Sequence, residues 1–245
     1  MRVLSAAELL EVWERGLTQA PIVRALSFLE AACPEMTFDQ IAVLSIGQRD
    51  ARLLALREAL FGPDLEAVAN CPGCGQRLEL NLSTTELRSD TRPEPHAEEF
   101  TLSVANYNLR LRPPNSQDVL SAGSLADPAE GREQLLQRCL LSAECGDVPV
   151  ELDHLSAEVA EAVAQKMAEA DPLADIRLFI SCPACRHEWR AVFDIASFLW
   201  SEVEGWAGRI LNEVHTLASA YGWRERDILA LSPMRRQFYL DMVWA

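Results

Sequence analysis

Lysine and histidine are scarce in this sequence: one lysine, Lys166, and four histidines in 245 residues. General acid–base work near neutral pH would therefore fall to His96, His154, His187 or His215. His154 sits at a helix entrance, His96 in a proline-rich stretch, His187 beside a cysteine pair, and His215 near the apolar stripe of a helix, where a packed or surface histidine is the ordinary reading. The motifs that carry common chemistries are absent as well: no Walker-type phosphate loop, no G-x-S-x-G elbow, no H-E-x-x-H metal helix and no G-x-G-x-x-G dinucleotide turn. Carboxylate pairs such as Glu202 and Glu204 are two apart on a helix and do not share a face. No active site assembles from these pieces, so the expectation is a chain that is not an enzyme and has no small-molecule substrate. No stretch approaches 18 consecutive apolar residues, which excludes a helical membrane span. Met1-Arg2-Val3-Leu4 runs straight into polar, helix-like sequence without an apolar signal core, so export is not expected. Basic charge is also short. There are 37 acidic residues against 22 basic ones, for a net charge of −15, and a nucleic-acid partner would meet repulsion.

What is present can bury a real core. Hydrophobic residues make up 49% of the chain, and its length fits one large domain or two intimately joined ones. The seven cysteines are an odd number, and four of them form two C-x-x-C pairs. That pattern points to metal ligation in a reducing compartment, not to a secreted disulfide framework. Acid is unevenly placed: Asp127 to Asp175 holds twelve carboxylates against Arg132, Arg138 and Lys166. Such a run is a solvated helical surface or, in the sharper reading, a docking face for a basic partner.

Along the chain, Ser5 with Glu8 and Thr37 with Gln40 form capping boxes, and the first sixty residues read as three or four helices. The strongest, from Ile46, carries Leu53, Leu56, Leu60 and Phe61 on one stripe and stops at Gly62-Pro63. The period then changes. Arg77 to Leu82 alternates after the first cysteine pair, and Phe100 to Val104 with Tyr107 to Arg112 flank Ala105-Asn106 like a hairpin. Ser89 to Glu99, with Pro93, Pro95 and His96, reads as an exposed loop. Helix returns after Pro113-Pro114, with Asn115 as a cap, then from about Pro128 to Ala143 and about Ser156 to Ala170. Strands from Asp175 to Ser181 and Glu188 to Asp194 bracket the second pair. One long amphipathic helix follows, with Ile195, Leu199, Val203, Trp206, Ile210, Val214, Leu217 and Tyr221 on its stripe, ended by Gly222. A short turn around Asp227 to Leu231 and a helix opened by Ser232-Pro233 complete the chain. The two cysteine pairs, each leading into a strand, look like two copies of one knuckle-plus-strand unit.

Two residues between paired cysteines let both thiolates reach one tetrahedral ion at about 2.3 Å. Cys71, Cys74, Cys182 and Cys185 are therefore the candidate ligands of one structural zinc ion, although 107 residues separate the pairs. Gly75 suits the left-handed backbone such a turn needs, while Arg186 stands at the matching place in the second pair. Rival readings are a redox dithiol, two sites completed by His96 or His187, or an empty, degraded site. A thioredoxin-like pair opens a helix, whereas each pair here leads into strand-like sequence, which argues against redox chemistry. Cys33, Cys139 and Cys145 read as buried apolar fillers. Trp200, Trp206, Trp223 and Trp244 crowd the last quarter. Core packing accounts for most of them, and Trp223 and Trp244 beside Arg224, Arg226, Arg235 and Arg236 read equally as an interface. The expected fold is mainly α with a small β zinc-knuckle or zinc-ribbon element, an α+β class. The expected regions are 1–66 as a helical N-terminal part, 67–112 with 175–194 as the ribbon-like β element, 113–174 as an acidic helical insertion, and 195–245 as a helical C-terminal part.

Several segments together resemble a known family: Gly47-Gln48-Arg49-Asp50 with Leu53-Leu54 and Phe61-Gly62, then Cys71-Pro72-Gly73-Cys74-Gly75, Asp171-Pro172-Leu173-Ala174-Asp175 and Cys182-Pro183-Ala184-Cys185. Further on come Phe193-Asp194-Ile195 with Phe198-Leu199-Trp200, Glu213-Val214-His215, Tyr221-Gly222-Trp223 and Arg235-Arg236 with Tyr239-Leu240. The set resembles the baseplate protein family of T4-like contractile phages and related contractile injection systems. The resemblance implies a structural or assembly role, including that of an assembly chaperone, whose partners are other baseplate, hub or spike-assembly proteins. It also implies assembly in the bacterial cytoplasm, with or without retention in the particle. It does not imply catalysis, and with the acidic charge neither a nucleic acid nor a membrane is expected as partner. The alternative is a nucleic-acid-binding or transcription-associated zinc ribbon, which requires a basic stripe. A zinc hydrolase or deaminase would need an open metal position and a nearby glutamate base.

Overall fold

Local capping chemistry sets where the helices begin. Ser5 accepts from the Glu8 amide at 3.3 Å while Glu8 accepts from the Ser5 amide at 2.9 Å, and Thr37 with Gln40 and Asn115 with Asp118 repeat the arrangement. Each box satisfies amides that a helix start would otherwise leave bare. The computed structural model describes residues 1–89, 98–125, 127–146, 148–150 and 156–243. Residues 90–97 of the expected proline-rich loop, including His96, lie outside the described residues, as do His154 and Trp244.

In chain order come helices α1 (Ala6–Gly16), α2 (Pro21–Ala32), α3 (Phe38–Ala42) and α4 (Ile46–Phe61), then strands β1 (Asp64–Asn70) and β2 (Arg77–Ser83) and helix α5 (Thr84–Ser89). Strands β3 (Phe100–Val104) and β4 (Tyr107–Leu111), helices α6 (Ser116–Ala122) and α7 (Pro128–Cys139), strands β5 (Leu140–Cys145) and β6 (Val148–Pro149) and helix α8 (Ala157–Ala170) follow. A 3-10 turn (Pro172–Ala174), strands β7 (Ile176–Ser181) and β8 (Glu188–Phe193), and helices α9 (Ile195–Tyr221), α10 (Glu225–Leu229) and α11 (Pro233–Val243) complete the order. The chain is thus a mixture of helix and sheet, α+β in class. It divides into two compact units, one of Met1–Met36 with Ile195–Ala245 and one of Thr37–Asp194.

The first unit is helical. The α9 stripe buries Ile195, Leu199, Val203, Ala207, Ile210, Val214 and Leu217, while Trp206 is half-buried and Tyr221 exposed. Helices α1 and α2 pack on it: Leu10 meets Ala207 and Ile210, and Phe28 meets the Trp200 ring at 6.2 Å. Arg24 lies 4.1 Å from the centre of that ring, a cation–π contact. Gly222, in the left-handed region at φ 67°, ends α9. Helices α10 and α11 then fold back so that Ile228 and Leu240 pack on Val214 and Leu217.

Among the described residues the second unit carries three antiparallel sheets, β1–β2, β3–β4–β5–β6 and β7–β8. The four-stranded sheet packs on α7 and α8 around Leu109, Leu111, Leu136, Cys139, Val159 and Val163, so the long insertion between the cysteine pairs has an apolar core of its own. Several expected boundaries need correction here. The helix expected to reach Ala143 stops at Cys139, and the next six residues become β5, because Tyr107–Leu111 offers them a strand edge. Consequently the segment 113–174 is not helical throughout, and the hairpin 100–111, grouped beforehand with the knuckle strands, pairs with the insertion's strand instead. Strand β1, at Asp64–Asn70, precedes the first cysteine pair, whereas the expected alternation lies only after it, at Arg77 to Leu82.

Candidate metal centre

Each cysteine pair closes a two-stranded hairpin, and the two closures are the same turn. In the first, the Cys71 amide donates to the Gln76 carbonyl at 2.9 Å and the Gly75 amide to the Cys71 carbonyl at 2.8 Å. In the second, Cys182 donates to His187 at 2.9 Å and Arg186 to Cys182 at 2.8 Å. Gly75 and Arg186 occupy matching left-handed positions, at φ 75° and 61°. Only glycine adopts that region without cost, so Arg186 is held there by the turn around it.

All four sulfurs converge within 4.8 Å of one another. Across the hairpins, Cys71 Sγ lies 3.6 Å from Cys185 Sγ and Cys74 Sγ 3.7 Å from Cys182 Sγ. A tetrahedron with metal–sulfur bonds of about 2.3 Å has sulfur–sulfur edges of about 3.8 Å, so the spacing fits one four-coordinate ion. Cys71 and Cys182 are buried while Cys74 and Cys185 face solvent. Backbone amides point at the sulfurs, as such knuckles need: those of Cys185 and Ala184 at Cys182, that of His187 at Cys185, and that of Gln76 at Cys74.

Each of those amides favours a thiolate, but burial and the neighbouring thiols carry Cys182 and Cys74 in opposite directions. The Cys185 amide, opposed by burial and helped by Ala184 and the neighbouring thiols, brings Cys182 down to about 7. At Cys74 the Gln76 amide favours the thiolate, but contact with Cys185, desolvation and the Cys182 and Cys71 thiols together outweigh it and push the group up to about 12. Four clustered thiols cannot all ionise unaided, because each added negative charge opposes the next. A cation at their centre removes that conflict, and the four cysteines can accordingly hold a metal ion.

Among the described residues no other group of three or more metal-binding side chains converges. His187 is exposed and stacks on Trp189 with ring centres 6.1 Å apart, outside the sulfur cluster; His215 is exposed on α9. Cys33 and Cys139 are buried fillers as expected, but Cys145 is exposed on β5. Arg236, read beforehand as an interface residue, is buried and ion-pairs with Glu213 at 2.5 Å. Trp223 stacks on Tyr221 at 4.7 Å and meets Tyr239 edge-on at 4.8 Å.

Sequence reasoning missed a buried polar network in the same unit. The Asp171 carboxylate accepts the Gly47 amide at 2.8 Å at the start of α4, joining two of the segments that carry the family resemblance. Beside it, buried Arg49 donates to Asp50 at 2.7 Å and to Ser116 at 3.3 Å. Burial raises the Asp50 carboxyl to about 6, against the pull of Arg49 and with a smaller push from Asp194 and Asp171. The available signal was a glycine directly after the first residue of a capped helix, where a side chain would occupy the space of an approaching group.

A family model described as T4 bacteriophage base plate protein matches residues 6–200. No curated protein and no solved structure matches the chain.

Proposed function

The chain belongs to the T4 bacteriophage base plate protein family, and from that premise we propose that it is a non-enzymatic structural or assembly component of a contractile phage tail or contractile injection system, built around one zinc ion and acting by protein–protein recognition. The family match carries the role, and the sulfur cluster supports the metal. Zinc suits four thiolates at tetrahedral spacing. In this reading Cys71, Cys74, Cys182 and Cys185 hold it, one pair from each hairpin. Four protein thiolates leave no open coordination position, so the ion supplies rigidity and not Lewis acidity. It ties together two hairpins that the insertion separates by 107 residues, and such sites contribute roughly 10–16 kcal/mol in small peptides.

The recognition surface in this reading lies on α11. Met234, Phe238 and Met242 stand four residues apart and are 73%, 60% and 64% exposed, an apolar stripe on one face of the helix. Its partner is another base plate, hub or spike-assembly subunit, met in the bacterial cytoplasm during assembly. A nucleic-acid ribbon has less support, since the exposed strand positions of the knuckle hairpins mix Asp64, Glu66, Glu79 and Glu188 with Arg77, Arg177 and Arg190 and offer no basic stripe. The test replaces Met234→Ser and Phe238→Asp together and measures co-purification with the base plate and hub subunits encoded beside this chain. Loss of co-purification, with helical content and metal unchanged, is expected. Undiminished co-purification refutes the placement, and salt-dependent binding to DNA or RNA by the unmodified chain favours the ribbon.

A further inference from the structure

The two knuckle hairpins are one motif written twice, and their outer faces carry opposite charges. Laying Cys71 on Cys182 brings β1–β2 onto β7–β8, with Asn70 and Arg77 at the neck of one hairpin and Ser181 and Glu188 at the neck of the other. Alternate residues of each hairpin face solvent: Glu66, Val68, Arg77 and Glu79 on the first, and Arg177, Phe179, Glu188 and Arg190 on the second. Position for position the signs invert. Glu66 corresponds to Arg177, Arg77 to Glu188 and Glu79 to Arg190, while the central apolar residue is Val68 in one and Phe179 in the other. Cross-strand pairing sets each apolar residue beside a charge, Val68 opposite Glu79 and Phe179 opposite Arg190.

The relief of the two faces is complementary as well. The first bears a depression of about 330 Å³ lined by Glu66, Val68, Arg77, Glu79 and Asn81. On the second, Phe179 projects at 68% exposure and Val192 stands beside it at 70%. Arg177 also pairs locally with Asp175 at 2.7 Å, which leaves more than half of its side chain exposed. Both faces are open to solvent in one chain, so neither covers the other within it.

We propose that they meet between copies: the β7–β8 face of one chain docks on the β1–β2 face of the next, with Phe179 entering the depression and the net basic set Arg177, Glu188 and Arg190 against the net acidic set Glu66, Arg77 and Glu79. Because each chain offers two different surfaces, the contact runs head to tail and builds a ring or an open filament, not a two-fold dimer. A two-stranded hairpin offers little area, which places the contact among weak interfaces that an assembly strengthens through repetition. This inference does not depend on the partner proposed for α11.

Sedimentation of the full, metal-loaded chain up to about 1 mM, enough to populate a millimolar contact, tests it. The unmodified chain should gain mass with concentration, and added salt should reduce the effect. E66R/E79R makes both faces basic, and R177E/R190E makes both acidic. Each variant should associate about tenfold more weakly or less, since like charges now oppose. An equimolar mixture of the two should recover association, because every contact between unlike copies again pairs opposite signs. Phe179→Ser should weaken association without altering charge. All these side chains are exposed, so metal content and circular dichroism should stay unchanged. An unmodified chain that remains monomeric throughout, single-face variants that associate like the parent, or a mixture no better than its components overturns the proposal.

Discussion

Replacing Gly47 by alanine adds one methyl group where the structure has no room for it. A Cβ at that position would lie 2.0 Å from Asp171 Oδ1 and 2.6 Å from its Cγ. The carboxylate must retreat by about 1 Å to restore ordinary contact, and that movement breaks the 2.8 Å bond from the Gly47 amide. A hydrogen bond to a charged group is worth about 1.5–3 kcal/mol, and a carboxylate at a helix start adds about 0.3–1 kcal/mol. Against this, alanine stabilises a helix interior by about 0.5–1 kcal/mol relative to glycine. The net expectation is a loss of about 2 kcal/mol, or roughly 4–8 °C in melting temperature for a unit of this size. Gly208, with nothing within 4 Å of its own added Cβ on α9, is the control, and Gly208→Ala should gain about 0.5–1 kcal/mol. Thermal and denaturant unfolding of both variants decide the matter. If Gly47→Ala proves as stable as the parent, or gains like Gly208→Ala, the docking of Asp171 on α4 is wrong.

Two further perturbations test the interior of the second unit. The Asp50 carboxyl titrates near 6 in the folded chain against an ordinary 3.8. Between those values the folded chain keeps a proton that the unfolded chain releases, so this residue's contribution is fully present below about pH 4 and falls by roughly 3 kcal/mol as pH rises to about 6. Asp50→Asn should remove that slope, read as the difference in denaturant midpoint between pH 4.5 and 6.5 for parent and variant; an equal slope in both contradicts the assignment. Leu111→Ala, at a fully buried position of the insertion core, should cost roughly 2–5 kcal/mol while leaving metal content at the parent level, since that core is separate from the cysteine cluster. Metal loss in parallel with destabilisation would show that the insertion does not stand on its own.

The site was easier to read in the sequence than the sheets around it. C-x-x-C spacing is a local signal, and both pairs form the same turn with their sulfurs together. Capping boxes and the α9 stripe are local too, and their helices start and stop where the sequence indicates. Strand β5 was hidden because Leu140 to Cys145 follows a helix without a breaker, and only the edge offered by β4 makes it a strand. The hairpin 100–111 was visible as a hairpin, but nothing local says which sheet it joins. Arg49, Asp50 and Asp171 read as surface charges from their type alone. Their burial depends on one another and on Ser116, and Gly47 and Asp171 lie 124 positions apart.

The most direct test of the whole account is metal content together with thiol reactivity in the intact chain, purified without chelators. One zinc per chain is expected, with Cys71, Cys74, Cys182 and Cys185 protected from a thiol reagent until a chelator removes the ion, Cys145 reactive throughout, and Cys33 and Cys139 protected by burial in the folded chain. A chain that carries no stoichiometric metal, or whose four knuckle thiols react equally before and after chelation, contradicts the clasp that joins the two hairpins.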